Sequence, residues 1–387
     1  MNIRYFLLLV GFSCFAQNNN LTLTPEFFSG ITLPSTSNFP KTTMQTAFGL
    51  SLGRKNEFKD KEWTNIMKFP TTGISLFYTN FGNSKKIGYA ISVLPYIEFN
   101  ILKKKQLKTK LAFGFSYFNK QYHAINNPLN QAISSDFTWA LQVFLYYDLK
   151  IKNFNFTLGA GNFHHSNGHT SLPNFGLNSA LLSFSTKFDV QKPKISDPKI
   201  TFDKTKIKKF GDWFYSVRYG RGFQTFLEDL DKIKTVDAIS LNGGIYYKNA
   251  YKLRFGVNYR YYKHYYDYIS ENMVEPYIDN PFANASNIYI SIGGEALVGR
   301  VGIDVEGGLN LYKPFFKKHY LLTDYKHDFK YELKKLFLGR LGLKLYAINN
   351  AKNPLNNFYL AAHINSNLSQ ADFSEISFGF THRFKNK

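Results

Sequence analysis

Residues Phe154–Phe188 read FNFTLGAGNFHHSNGHTSLPNFGLNSALLSFSTKF, two runs of alternating character around a polar turn. In the first run Phe154, Phe156, Leu158, Ala160, Asn162, His164 and Ser166 share one face, because successive side chains of a strand point to opposite sides. That face is apolar at first and then becomes Asn-His-Ser. In the second run Asn174, Gly176, Asn178, Ala180, Leu182, Phe184, Thr186 and Phe188 share a face that starts polar and ends apolar. An antiparallel hairpin across Asn167–Pro173 lays the apolar ends side by side. It gathers His164, Ser166, Asn174 and Asn178 at the turn end, at the rim of an apolar surface.

Outward from this hairpin the period-two pattern repeats in segments of roughly ten residues. Before it stand Leu21–Gly30, Gln45–Arg54, Thr72–Phe81, Ile87–Leu102, Leu107–Asn119 and Phe137–Ile151. After it come Trp213–Phe226, Val236–Tyr247, Leu253–Tyr262, Ile288–Leu297, Val301–Leu311, Phe337–Ile348, Phe358–Asn365 and Ser374–Phe384. With the hairpin this makes about sixteen strands. Short turns (Lys103–Gln106, Lys152–Asn153, Lys248–Tyr251, Val298–Arg300) alternate with long loops (Lys120–Asp136, Lys263–Asn287, Tyr312–Leu336). Outer-membrane barrels connect their strands in this way, with short turns inside and long loops outside. The Asn167–Pro173 turn then falls on the outer side.

Composition agrees. Phe (39) and Tyr (27) are abundant, yet mean hydropathy is −0.29. No stretch after the first residues approaches the ~20 apolar residues of a spanning helix. The chain therefore reads as all-β, a transmembrane antiparallel barrel. Residues 1–16 read as a secretory signal, with Arg4, an apolar Phe6–Phe12 core and Cys14-Phe15-Ala16 before the cut. Cys14 is the single cysteine, so a chain cut after Ala16 contains no disulfide. The net charge of +21 fits anionic lipid headgroups better than nucleic acid in a secreted β-rich chain.

Asp189–Phe210, with seven lysines and two prolines, breaks the alternation and reads as a linker between halves 17–188 and 211–387. Asn127-Pro128-Leu129-Asn130 recurs as Asn353-Pro354-Leu355-Asn356, and the His164 motif has an echo at His363-Ile364-Asn365-Ser366-Asn367, a weak internal duplication. Two architectures follow: one barrel of about fourteen to sixteen strands, slightly favoured, or two eight-stranded barrels in tandem. Asn365 stands where the echo would need serine, so the second half is expected to hold no active site. The tyrosine-rich Tyr259–Tyr268 reads as a strand rim and aromatic girdle.

Serine becomes a nucleophile when a neighbouring base takes its proton, and ester cleavage also needs donors for the oxyanion. His164 and Ser166 supply the first pair. Asn167, the amides around Gly168, and Asn174 are placed for the second. Asn178 on the facing strand is the candidate to orient His164. His165 falls on the opposite face and His169 in the loop, so no metal site is expected from the three histidines.

His164-x-Ser166-Asn167 followed by Pro173-Asn174-x-Gly176 resembles the PagL-type lipid A 3-O-deacylases, and the chain looks like their long Bacteroidetes-type members, the acyloxyacyl hydrolases. Further matches are Asn127–Asn130, Ala132-Ile133-Ser134-Ser135 and Gln370-Ala371-Asp372-Phe373. The resemblance implies an outer-membrane hydrolase without cofactor or metal, acting on lipid A of lipopolysaccharide in the outer leaflet, and it leaves homo-oligomers open. It makes His164 the general base, Ser166 the nucleophile and Asn174 part of the oxyanion site. The family's third member is a glutamate twelve residues after the serine; here that position is Asn178. A degenerate, lipid-binding or porin-like barrel is the alternative reading.

Overall fold

A strand with one side to lipid and the other to a narrow lumen must alternate apolar residues with polar, small or paired ones. The computed structural model describes residues 21–56, 62–101, 106–151, 154–190, 210–227, 232–323, 329–368 and 370–385. The expected leader and nearly all of the Lys/Pro-rich segment lie outside these, as do Lys152–Asn153 and most of Lys103–Gln106.

The sixteen expected strands are all present, in two closed barrels of eight. The first contains β1 (Leu21–Leu33), β2 (Gln45–Lys55), β3 (Thr71–Asn80), β4 (Tyr89–Asn100), β5 (Leu107–Phe118), β6 (Phe137–Ile151), β7 (Phe154–Ser166) and β8 (Leu177–Thr186). A two-residue β9 (Phe188–Asp189) adds to the start of β1. The second contains β10 (Phe210–Gln224), β11 (Lys234–Tyr247), β12 (Tyr251–Tyr262), β13 (Ser286–Val298), β14 (Val301–Tyr312), β15 (Phe337–Tyr346), β16 (Asn356–Asn367) and β17 (Gln370–Phe384).

The slight preference for a single barrel is thereby corrected. β8 returns to β1, with Phe27 opposite Phe184 and Leu33 opposite Asn178. β1 is paired on its other edge with β2. With both edges of β1 taken, no open edge remains for β10 to extend, and β10 instead closes on β17 with Val217 opposite Phe380. Eight strands leave an interior that side chains can fill.

The two lumens are filled differently. In the first, Phe28, Phe77, Phe144 and Phe163 interlock edge to face across the middle, with centroids 5.4–5.7 Å apart. Below them a cavity of about 710 Å³ is lined by Glu26, Glu98, Lys108, Lys110 and Lys187. In the second, charges fill the bore. Arg254 reaches Asp304 at 2.6 Å and Glu306 at 2.8 Å, Lys344 reaches Glu295 at 2.9 Å, and Arg218 pairs with Glu375. Each charge removed from water here has a partner, without which it would cost several kcal/mol.

Tyr259 and Tyr261 lie half-buried on the outer face at the end of β12, as expected of a strand rim, but the rest of Tyr259–Tyr268 forms no outer girdle. Tyr262 ends β12 and Tyr265 lies on α2 (Lys263–Glu271; α1 is Glu62–Ile66, in the β2–β3 turn), and both are buried against Phe226 and Phe315 as a cap on the second lumen. Tyr262 faces inward by the alternation of β12 itself, and the helical spacing that follows turns Tyr265 inward as well. Among the described residues no helix is long and apolar enough to cross a membrane.

The barrels touch at both rims. At the long-loop rim Trp139 Nε1 donates to Ser374 Oγ at 2.8 Å, and the Thr225 amide donates to the His169 carbonyl at 2.9 Å. At the short-turn rim Asn249 Nδ2 donates to the Glu62 carboxylate at 3.2 Å, and Trp63 and Met67, from and just after α1, pack with Ala250.

Candidate active site

The pleat of β7 divides its residues cleanly. Phe163 and His165 point into the lumen, where the His165 ring meets Phe81, Phe118 and Phe163. His164 and Ser166 therefore lie on the outer wall, above the exposed Leu158 and Ala160. On β8 the outward set is Asn178, Ala180, Leu182 and Phe184, and Asn178 stands opposite His164 in the ladder. An apolar band thus runs up to a polar group at the long-loop rim.

His164 Nδ1 lies 2.9 Å from Asn178 Oδ1. A carboxamide oxygen only accepts, so Nδ1 carries the proton and Nε2 keeps its lone pair. Ser166, 8% exposed, accepts two hydrogen bonds at Oγ: from the Gly168 amide at 3.2 Å and from Asn174 Nδ2 at 3.0 Å. Among the described residues His164 makes neither an ion pair nor a hydrogen bond to Ser166. Such contacts often close only when substrate is bound.

The loop is built to hold these donors. The Asn167 amide donates to Asn174 Oδ1 at 3.2 Å, which aims the Asn174 Nδ2 group at the serine. The Asn167 side chain is turned away from Ser166 and ties the loop together, donating to Ser134 Oγ at 3.0 Å and the Ser171 carbonyl at 2.9 Å. Of the expected oxyanion residues, Gly168 and Asn174 thus face the serine directly, and Asn167 acts through Asn174. Asn174 precedes β8 rather than starting it, since the Phe175 and Gly176 amides pair with Gln131 and Ala132 of the β5–β6 loop.

Two contributors had no assigned role in the sequence. Ser134 anchors Asn167. Gly176 has φ +72°, and a Cβ there would stand 3.0 Å from His164 Cε1 and 3.2 Å from the His165 carbonyl, so a glycine gives the imidazole its room. The Pro173-Asn174-x-Gly176 spacing was the available signal for Gly176. Nothing comparable marked Trp139, beside Ser166 in the ladder, or Ser374 from the second barrel, whose Oγ also donates to the Asn167 carbonyl at 3.3 Å.

The echo motif builds no such group. His363 and Asn365 of β16 point into the lumen, where His363 Nε2 is 3.1 Å from Asp304 and Asn365 Nδ2 donates to Glu375 at 3.1 Å. Asn127–Asn130 sits at the long-loop rim, with both asparagine side chains donating to the Lys86 carbonyl, whereas Asn353–Asn356 lies at the opposite rim. Among the described residues no group of His, Cys, Asp and Glu is arranged to hold a metal.

A sequence profile of the lipid A 3-O-deacylase (PagL) family matches residues 46–187, from the start of β2 to just beyond β8. The matched residues all lie in the first barrel. This match and the closed barrels make the chain an integral protein of the Gram-negative outer membrane. No curated protein matches the chain. Among solved structures, that of the outer membrane enzyme PagL is similar at 16% identity, over 42% of this chain and 98% of that one, with a TM-score of 0.29. Outer membrane phospholipase A from Escherichia coli is similar at 10% identity, over 93% and 89% of the two chains, with a TM-score of 0.16. An outer membrane channel from Pseudomonas putida F1 stands at 7% identity, 95% and 96% coverage and a TM-score of 0.21. At these identities and scores the three likenesses do not bear on function. The PagL match ends before the second barrel and assigns it no family.

Proposed function

We propose that the first barrel is a cofactor-free serine esterase that removes an ester-linked acyl chain from lipid A or a related outer-leaflet glycolipid. The observation that carries this reading is the group at the rim: a serine with two N–H donors at its oxygen, beside a histidine whose Nδ1 is held and whose Nε2 is free to take a proton. His164 Nε2 takes the Ser166 proton as Oγ attacks the acyl carbonyl. The Gly168 amide and Asn174 Nδ2 lie where they can share the charge on the tetrahedral oxygen. The sugar–oxygen leaving group departs with the proton from His164, leaving an acyl ester on Ser166. Water, deprotonated by the same histidine, releases the fatty acid and restores the serine.

The outer-wall position suits a substrate whose acyl chains stay in the bilayer while its esters lie near the headgroup. The net positive charge favours a phosphorylated headgroup. Asn178 fixes the imidazole but stabilises its cation less than a carboxylate would, which slows the reaction. The same residue favours a second reading, a barrel that binds the lipid without cleaving it. Closure at eight strands argues against a channel through either bore.

Mass spectrometry of lipid A incubated with the refolded protein tests the proposal. Loss of one acyl chain with wild type, absent with Ser166→Ala, is the expected result. Unchanged lipid A with both proteins would favour the lipid-binding reading.

A further inference from the structure

Between the two rim contacts the outer walls of the barrels stand apart and enclose a partly open cleft of about 310 Å³. Its walls are two ladder rows, one from each barrel. On the first, Phe113, Leu141 and His164 are consecutive cross-strand partners on β5, β6 and β7. On the second, Val305, Leu341 and Ile364 are consecutive partners on β14, β15 and β16, and the same row ends at Ser374 on β17. All six of these side chains except His164 are apolar. Trp139 closes the cleft on the loop side, stacked on Phe113 with centroids 5.2 Å apart and hydrogen-bonded to Ser374. On the far wall Leu341 and Ile364 are half-buried, whereas Val305 is 54% exposed and Leu345 and Leu360 further along the strands are 58% and 59% exposed.

We infer that this cleft is the acyl-chain subsite of the esterase and that the second barrel supplies half of it. The inference rests on the reaction proposed above and names where its substrate's chain lies. The occupant is the alkyl tail of the ester under attack. His164 is itself part of the wall, so a carbonyl held at Ser166 puts the first methylenes of the chain against Leu141. The volume holds roughly ten methylene-sized groups at the ~30 Å³ that a water molecule occupies in the liquid. An apolar chain loses nothing by leaving lipid for this cleft. It gains packing against two rigid walls in place of one, so chain length and shape are read by Val305, Leu341 and Ile364 as well as by the catalytic barrel. The second barrel is then a specificity element.

Two measurements on the full chain test this. The variants Leu341→Phe and Ile364→Phe, singly and together, fill the cleft from the far wall and leave Ser166, His164 and Asn178 in the sequence. The first measurement compares hydrolysis of p-nitrophenyl butyrate and p-nitrophenyl myristate. Butyrate turnover is expected to stay near wild type while the myristate-to-butyrate ratio falls about tenfold or more in the double variant, the size of effect that altered fit in an apolar pocket produces. An unchanged ratio overturns the inference. The second is independent of turnover and uses Ser166→Ala. A long-chain brominated acyl glucosamine, added in detergent micelles, is expected to quench Trp139, with Trp139→Phe giving the background from the other tryptophans. Filling the cleft is expected to remove that quenching. Quenching that persists in the filled variants overturns the inference even if catalysis is normal. Quenching lost on filling, with a wild type that cleaves no ester, keeps the cleft as a lipid site and removes the esterase reading alone.

Discussion

The seventh strand of each barrel carries the histidine of the repeated motif, and these two histidines stand on opposite sides of their walls. His164 on β7 looks out toward lipid beside a serine; His363 on β16 looks into a bore filled with charge. Across the ladder His164 meets Asn178, while His363 meets Glu375. The carboxylate that would suit a catalytic histidine is present in the second barrel, where it pairs with Arg218 and holds Asn365. One step of pleat phase decides whether a His–x–Ser/Asn pattern forms a surface site or braces a lumen, because the side-chain period of a strand is two. The similarity of the two motifs as text therefore conceals opposite surroundings.

The largest expected effect breaks this comparison at its centre. His164→Ala and Ser166→Ala should each lower acyl release by at least about a thousandfold, as loss of either member of a nucleophile–base pair does. His363→Ala should leave release unchanged and lower the unfolding midpoint of the second barrel in urea, because it strips a partner from Asp304. Activity lost equally on changing His363 would show that the two histidines are not so different. Next in size is Gly176→Ala. The positive φ and the 3.0 Å approach to His164 Cε1 force either the loop or the imidazole to move, and a displacement near 1 Å can cost about a hundredfold in rate. The variant should still refold, since Gly176 lies in the loop outside the aromatic core.

Asn178→Glu is the sharpening experiment. It gives His164 the carboxylate partner that His363 already has, and should raise turnover by about tenfold or more if stabilising the imidazolium limits the rate. No gain, in a protein that is active to begin with, would mean that orientation alone suffices. The smallest effect concerns the contact between the barrels. His169, in the Asn167–Pro173 loop, is half-buried beside the second barrel's cap; desolvation there and the nearby His264 lower its pKa, against the pull of Asp372. Undocked, it would titrate near the ordinary 6.5. The contact is then fully formed above about pH 6.5 and weakens as pH falls from there toward the lowered value. Trp139 fluorescence followed from pH 7.5 to 5 should report loosening, and His169→Gln should flatten the response.

Much of this molecule could be read from local pattern. All sixteen strands were legible because each needs only its own alternation, and the rim grouping of His164, Ser166, Asn174 and Asn178 because one hairpin holds all four. Closure was not legible, since whether β8 returns to β1 or passes on to β10 depends on edges more than a hundred residues apart in the chain. Tyr262 and Tyr265 were misread because a helix begins between them and aromatic composition alone does not distinguish a lipid-facing girdle from a lumen cap. Trp139 and Ser374 are 235 residues apart, and alternation says only that both face outward. Which outward faces meet is a question about two finished barrels.

The attachment at both rims has a consequence for how activity scales. A site walled by a separate subunit would be complete only where the protein is dense enough in the membrane to pair. Here the second wall is joined to the first by the chain itself, so its effective concentration is set by the tether and not by abundance. Turnover per chain should accordingly be the same in a sparsely populated membrane as in a crowded one.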